Sequence, residues 1–443
     1  MTGGYEHVAL TGIANFTVWA AVSFYVLGVK RAPIYHPFTI YLAYHFVGFV
    51  LRPFSIAAGE GSHLWERIGF LPDNSDILLT LGLANIGLLS AFIGFLALTP
   101  ERGAIPKMPK TELTVQRPVL FVAALVALTV LGYYGTYKSF FGAGLESVLA
   151  HETAVDAAGG RRLVGVSGYQ TALAEFLPIV CLILFLYKPT RTFSYAFIAA
   201  FVAVRFFAGA QRLSFVVVIA ALFFLYHINK GLRYPAAAPL AALLILGVAF
   251  DVIGYDRMAF RSLLAGEHSV EELMSGYAHA RGGRVLTSDI AEYDAAAATA
   301  SAVARNADYS YGTQYLRLFV WPIPRRFWPD KPVYTSRVDL NEYGDFRYLT
   351  TSLYADAFMN FGWLSLVLIA GAVGAMSAWV YRAARTGDSA YLFIFFWVFL
   401  IYMKTILRDG GVTVVYFWGF SMVAAALAFA AGGVRIWRGQ ATS

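Results

Sequence analysis

Hydrophobic and polar positions fall in long blocks along this chain rather than in the short alternations of a soluble fold. Apolar runs of about 20 residues recur from one end to the other, each the length a helix needs to cross roughly 30 Å of hydrocarbon. We read about eleven of them, near residues 8–28, 38–56, 76–98, 118–136, 168–187, 193–210, 212–228, 236–254, 353–380, 389–406 and 412–434. Between the eighth and the ninth the pattern lapses, from about Tyr255 to Thr350. That stretch holds short amphipathic segments, an Ala-rich run at 295–304 and then a stretch rich in aromatics and proline. The expected fold class is an all-α polytopic membrane protein of about 11 transmembrane helices, with a large loop before the last three. Its expected organisation is 1–254 for helices one to eight, 255–350 for the loop, and 351–443 for helices nine to eleven and a tail.

Composition supports the same class. Of 443 residues, 58% are hydrophobic and 14% charged, and mean hydropathy is +0.60, whereas soluble domains carry about 25% charged residues. A single cysteine, Cys181, lies in an apolar run, so neither an intrachain disulfide nor a Cys-rich metal site is expected. The first apolar run lacks a basic leader and a small-residue cleavage site, and reads as a retained span.

The net charge of +7 changes the picture through its placement. Alternate loops carry Lys30 and Arg31; Arg102, Lys107, Lys110 and Arg117; Lys188 and Arg191; Lys230 and Arg233; Arg382 and Arg385; and Arg435 and Arg438. By the positive-inside rule these face the cytoplasm, which puts the amino terminus outside and the carboxyl terminus inside. Nucleic acid is then excluded by location.

Ionisable residues inside spans cost roughly 2.5–3.5 kcal/mol each even on the mildest scale, so their positions are informative. They are Arg52, Glu175, Arg205, Asp251 and Lys404, with Arg212, Asp356 and Arg408 near span ends. In this orientation all lie in the outer half, and the inner halves hold only His45 and His227. Lys404 and Arg408 are near enough to an interface to snorkel, whereas Arg52 and Arg205, roughly three to four turns from the inner end, are harder to place that way. Both signs of charge at one depth point to a polar cavity open to the outside. The excess of Arg over Lys around it suits phosphate, which a guanidinium fork binds bidentately.

One outward segment, WPIPRRFWPDKP at 321–332, sets Arg325, Arg326, Asp330 and Lys331 among aromatics and prolines. It resembles the signature of the Wzy-type oligosaccharide repeat-unit polymerases (O-antigen and exopolysaccharide polymerases). Three further elements fall in the family's order along the chain: GAQRLSF at 209–215, YADAFMNFGWLSL at 354–366 and LRDGG at 407–411. The likeness covers the second half of the chain, and the first half in topology only. Asp356 stands where a Glu is common, and Leu364 where a second Gly often occurs.

The resemblance implies a GT-C-like fold whose large outward loop closes over the active site. The implied reaction is polymerisation of polyprenyl-pyrophosphate-linked oligosaccharide repeat units at the outer leaflet of the bacterial cytoplasmic (inner) membrane. Arg212, Arg325, Arg326, Lys331 and Arg408 are then the candidate pyrophosphate ligands, with Arg205, Arg257 and Arg261 in support. The base that takes the acceptor proton is open among Asp256, Asp330 and Asp356, with His268 and His279 as further candidates. No DxD pair or histidine cluster suggests a metal, no nucleotide or nicotinamide motif suggests a cofactor, and membrane lipid, chain-length regulators and flippases are the partners of such an enzyme. Trp321, Trp328, Tyr334 and Tyr343 suit either sugar stacking or the membrane interface. Two other readings stay open, a lipid-linked glycan ligase of the O-antigen ligase kind and a polysaccharide transporter or flippase.

Overall fold

The computed structural model describes residues 6–60, 62–99, 103–141, 153–155, 161–163, 172–207, 212–242, 269–281, 290–306, 309–320 and 351–438, together with Leu263, Gly266, Ile323, Phe327 and Trp328. It is a helical bundle. Among the described residues six helices are long and apolar enough to cross a membrane, or seven if one bent pair counts as a single span. Leu10, Ile13 and Phe24 on the first and Val119, Val126 and Val130 on the fourth are exposed. So much uncovered aliphatic surface suits lipid and not water.

Helix α1 (Glu6–Ser23) continues through a π-helical turn, Phe24–Val29. The second span opens with α2 (Pro37–His45), where Pro37 takes the first helical position and His36 caps the end. His36 Nδ1 accepts from the Phe38 N–H at 3.1 Å. Burial pushes the His36 pKa down to about 3, so the ring is neutral and Nδ1 keeps its lone pair. The span widens into a π-helical turn, Phe46–Leu51, before α3 (Arg52–Ser55). Pro53 has no N–H for the Phe49 carbonyl an α-helical turn behind it, and Asn15 Nδ2 donates to that carbonyl instead, at 2.7 Å.

After the short α4 (His63–Ile68), α5 (Asn74–Ala97) starts from a capping box in which Asp73 and Asp76 exchange hydrogen bonds with each other's backbone. Strand β1 (Thr111–Val115) leads into α6 (Pro118–Phe141). Strands β2 (Thr153–Val155) and β3 (Arg161–Leu163) form a small antiparallel pair. Then come α7 (Phe176–Leu186), α8 (Arg191–Phe207), α9 (Arg212–Asn229), α10 (Val270–Arg281), α11 (Glu292–Asn306) and α12 (Thr313–Val320). The chain closes with α13 (Ser352–Phe361), α14 (Trp363–Thr386), α15 (Ala390–Asp409), α16 (Gly411–Gly432) and β4 (Val434–Arg438).

One end of the bundle collects the basic loops. Strands β1 and β4 pair antiparallel there. Arg233 Nη1 donates to the Arg31 and Ile105 carbonyls at 2.6 and 2.8 Å, Arg191 meets Glu112 at 3.4 Å and Arg438 meets Asp388 at 3.5 Å. The alternate loops that the sequence groups by charge thus come together in space. We call this the basic end.

Several elements depart from the sequence reading. The expected span 353–380 is two helices, because Gly362 takes φ 63°, ψ −139° between α13 and α14, a conformation open to glycine and strained for other residues. The expected span 168–187 is an 11-residue helix behind a 3₁₀ turn, Leu173–Glu175, and with the next helix it forms the bent pair, angled by 102°. The expected span 236–254 lies largely outside the described residues. Within the segment read as an outward loop, α11 is buried from Glu292 to Val303 and packs against α5 and α13. Its alanines explain how, since Ala295 to Ala298 let neighbouring backbones approach closely while favouring helix.

The tightest helix pairing is α5 on α14. A Cβ on Gly94 would collide with the Gly371 carbonyl, and one on Gly374 with the Ala91 carbonyl. Small residues at such crossings supply the van der Waals contact that holds helices together where no hydrophobic driving force exists. Gly374→Leu is therefore expected to part α5 from α14 and lower the thermal unfolding midpoint in detergent by several degrees. Gly103→Ala, which meets nothing nearby, should leave the midpoint unchanged.

Candidate functional site

The site is assembled from the level at which charge enters the bundle. An apolar crevice between α7, α8, α9 and α15 is lined by Pro178, Cys181, Ile198, Val218 and Ile401. Helices α8 and α15 run away from the basic end and α7 and α9 run toward it, as the contacts of Arg191, Asp388, Phe185 and Gly231 with the basic loops require. Arg205 lies seven residues beyond Ile198, Arg212 six before Val218, and Arg408 seven beyond Ile401. At 1.5 Å per residue each backbone position is about 10 Å past the crevice, on the side remote from the basic end. Glu175, buried, starts α7 on that same side and accepts from Tyr402 OH at 3.2 Å.

The charged residues that do meet are organised by α11. Its first turn carries Glu292 and Asp294, which are 1% and 0% exposed. Asp294 takes a bidentate grip from Arg52, with Nε to Oδ2 at 2.7 Å and Nη2 to Oδ1 at 3.2 Å. Ser62 Oγ donates to the same carboxylate, and Trp65 Nε1 donates to the Asp294 carbonyl at 2.9 Å. Between the two acids, Tyr293 OH shares a hydrogen bond of 3.2 Å with Thr11 Oγ1. At its other end α11 is held by Arg305, which bridges Asp73 at 3.3 Å and Asp76. Acids in the first turn and Arg305 in the last complement the helix dipole, and both ends are pinned to spans.

Glu292 faces a different set of groups. Tyr44 OH donates to Glu292 Oε1 at 2.6 Å, and Lys404 Nζ lies 5.7 Å from the Tyr44 ring centroid. Lys404 and Arg408 lie one turn apart on α15. Burial pushes the Glu292 carboxyl up from the ordinary carboxylate range, opposed by the Tyr44 hydrogen bond and by those two cations. Arg408 Nε also stands 3.6 Å from Asp409 Oδ1. One turn toward the basic end, Tyr354 OH joins Tyr41 OH at 2.7 Å and His45 Nδ1 at 2.8 Å.

Asp356, an acid expected from the sequence, is fully buried on α13 and accepts from Tyr315 OH at 3.0 Å. Gly410, with φ 80°, brings the start of α16 so close that a Cβ there would lie 2.7 Å from Asp356 Cγ. A carboxylate against a helix start is stabilised by the dipole, which gives Asp356 a role in seating α16. Asp356 and Arg408 are thus on neighbouring helices, with Arg408 two residues before Gly410.

Of the other expected residues, Arg205 and Arg212 lie on α8 and α9 at the level given above, and their side chains are outside what the structure describes. Asp256, Asp330, Arg257, Arg261, Arg325, Arg326 and Lys331 lie outside the described residues, and so does Asp251. Among the described residues no group of three or more His, Cys, Asp or Glu side chains is placed to hold a metal ion. Sequence reasoning missed Tyr44, Glu292 and Asp294. Acids ahead of an Ala-rich run are an ordinary helix-start signal, and nothing local to them shows that this helix is buried.

Breaking a buried ion pair from one side leaves an uncompensated charge and costs about 3–5 kcal/mol. Arg52→Met and Asp294→Leu should each destabilise the protein by about that amount in a reversible denaturation titration. The double variant should lose clearly less than the two added together, because neither charge is then left alone.

Known protein families, curated proteins and solved structures were all compared with the chain, and none matches.

Proposed function

We propose that this protein is a membrane-embedded glycosyltransferase that polymerises polyprenyl-pyrophosphate-linked oligosaccharide repeat units at the outer leaflet of the bacterial cytoplasmic membrane. The observation that carries the reading is the gathering of Arg52, Glu175, Glu292, Asp294, Lys404 and Arg408 in the half of an apolar bundle remote from the basic loops. Basic loops favour the cytoplasmic side, so this half belongs to the outer leaflet and the amino terminus lies outside. Such an arrangement suits a substrate whose tail is lipid and whose head is a diphosphate bearing sugar. The segment WPIPRRFWPDKP, which the sequence reads as outward, carries two further guanidinium groups.

In the reaction, the bond between the sugar anomeric carbon and the pyrophosphate oxygen breaks, and its electron pair leaves on the diphosphate. An acceptor sugar hydroxyl forms the new glycosidic bond and gives its proton to a base. Arg408 with Lys404, and Arg212, Arg325, Arg326 and Lys331, serve the developing negative charge, with Arg205, Arg257 and Arg261 in support. Asp256 and Asp330 remain the candidates for the base, since the place of Asp356 against α16 suits a positioning role.

A second reading is favoured by one feature. The interruption at Gly362 between α13 and α14 is of the kind transporters use to build substrate sites, which suits a flippase.

Proteoliposomes supplied with a single lipid-linked repeat unit separate these readings. A ladder of polymer supports the polymerase, and product formed only with a different added acceptor indicates a ligase. Lipid-linked sugar that crosses the bilayer with no new glycosidic bond would establish the flippase and end the enzyme reading. In the polymerase case Arg212→Lys, Arg326→Lys and Arg408→Lys should each slow polymerisation roughly 10²-fold, the usual loss when a donor to a developing anion is removed. Full-length polymer from all three would take these arginines out of the site.

A further inference from the structure

The first turn of α11 holds an acid that the reaction above leaves unused. Glu292 is buried, yet only one of its oxygens is anchored by a hydrogen bond. Oε1 accepts from Tyr44 at 2.6 Å, and Oε2 has no hydrogen-bond partner among the described residues. Gly48, one turn from Tyr44, bounds Oε2 so closely that a Cβ there would stand 3.3 Å away. A side chain fixed on two sides by one helix has little freedom to move toward a substrate.

Through Tyr44 it reaches α15. Lys404 and Arg408 are four residues apart, so they lie on one face of that helix, and their charge opposes the upward push that burial gives the Glu292 carboxyl. Lys404 is in addition held over the Tyr44 ring, at 5.7 Å from its centroid. Other charges nearby are engaged differently, with Asp409 against Arg408 at 3.6 Å and Arg52 with Asp294 further along α11. Tyr44 therefore touches both the acid and one of its cations, and couples α2, α11 and α15 at a single point. Long cationic side chains lose much conformational freedom when they bind, and a fixed counter-charge reduces what remains to be lost.

We propose that Glu292, held by Tyr44, is a positioning residue that aligns Lys404 and Arg408 for the diphosphate of the lipid-linked substrate. The inference rests on the polymerase reading and goes beyond it in assigning the acid that organises the cations. Glu292 makes no contact with the reacting atoms. It acts through Lys404 and Arg408, whose alignment before the substrate arrives is what electrostatic stabilisation of a leaving group requires.

A double-mutant cycle on kcat/KM in proteoliposomes tests this. Glu292→Gln keeps the shape and removes the charge, and should lower kcat/KM about tenfold, while Glu292→Asp should recover part of the loss. Lys404→Met should lower it to a similar degree. The combined Glu292→Gln, Lys404→Met variant should lose clearly less than the product of the two single losses, because Glu292 has then lost one of the two groups through which it acts. Losses that multiply would overturn the proposal, as would wild-type activity in Glu292→Gln. Should Glu292→Gln fail to fold, Tyr44→Phe takes its place. It leaves the ring under Lys404 and the charge on Glu292 but removes the hydrogen bond, and it should lower kcat/KM severalfold, again with a smaller effect when Lys404→Met is already in place. No product from the wild-type protein would count against the polymerase reading itself, whereas an active wild type with independent effects at Glu292 and Lys404 would count against this inference alone.

Discussion

The bidentate contact of Arg52 with Asp294 is the interaction around which the polar half of this bundle is arranged. Either charge alone in an apolar interior would be strongly unfavourable, and together they are tolerable only because the geometry is close and the remaining lone pairs are met by Ser62. The pair joins the second span to a helix drawn from the long segment between the eighth and ninth expected spans. Once Asp294 is fixed, Glu292 two residues earlier is brought against Tyr44 and Gly48, and Arg305 is brought to the start of α5. A single buried pair therefore sets the depth and direction of α11 and, through it, the environment of Lys404 and Arg408.

Around this pair the bundle divides into halves of different chemistry. Toward the basic end, α5 and α14 touch through glycines, α7 is apolar throughout, and loop carbonyls are satisfied by Arg233, Arg438 and Lys107. Toward the other end, helices are interrupted. The second span has a π-helical turn between His45 and Arg52, α13 breaks from α14 at Gly362, and α15 from α16 at Gly410. Interruptions free backbone groups that an apolar surround cannot satisfy, and they coincide here with side chains that can, such as Asn15 at the Phe49 carbonyl and Ser365 at the Ala357 carbonyl. Polar side chains and irregular backbone thus depend on each other.

That division bears on function. Among the described residues the charges buried within the spans lie in one half of the bundle, which on the proposed reading fits chemistry at one membrane face better than passage across it. On the proposed reading, the two cations one turn apart on α15 serve a compact anion with more than one negative oxygen, and the ligand is an amphiphile with a phosphorylated head, the class to which a polyprenyl diphosphate belongs.

How much of this was legible beforehand follows from the range of the forces involved. Apolar blocks of about 20 residues and the alternation of basic loops are local signals, and hydrocarbon acts on each block separately, so the sequence by itself determined the membrane class and which loops share an end. It also marked Arg52, Glu175, Lys404, Asp356 and Arg408 as out of place in apolar spans. Their partners were not legible, because the bonds that matter join residues 242 and 248 positions apart. An Ala-rich helix carries no apolar stripe to reveal whether it lies in water or in a core. Only the tertiary structure decided that α11 is buried, that Glu292 meets Tyr44, whose ring lies under Lys404, and that Asp356 sits against the start of α16. Those outcomes depend on which surfaces find each other when the helices pack, and packing is a property of the whole bundle rather than of any one segment.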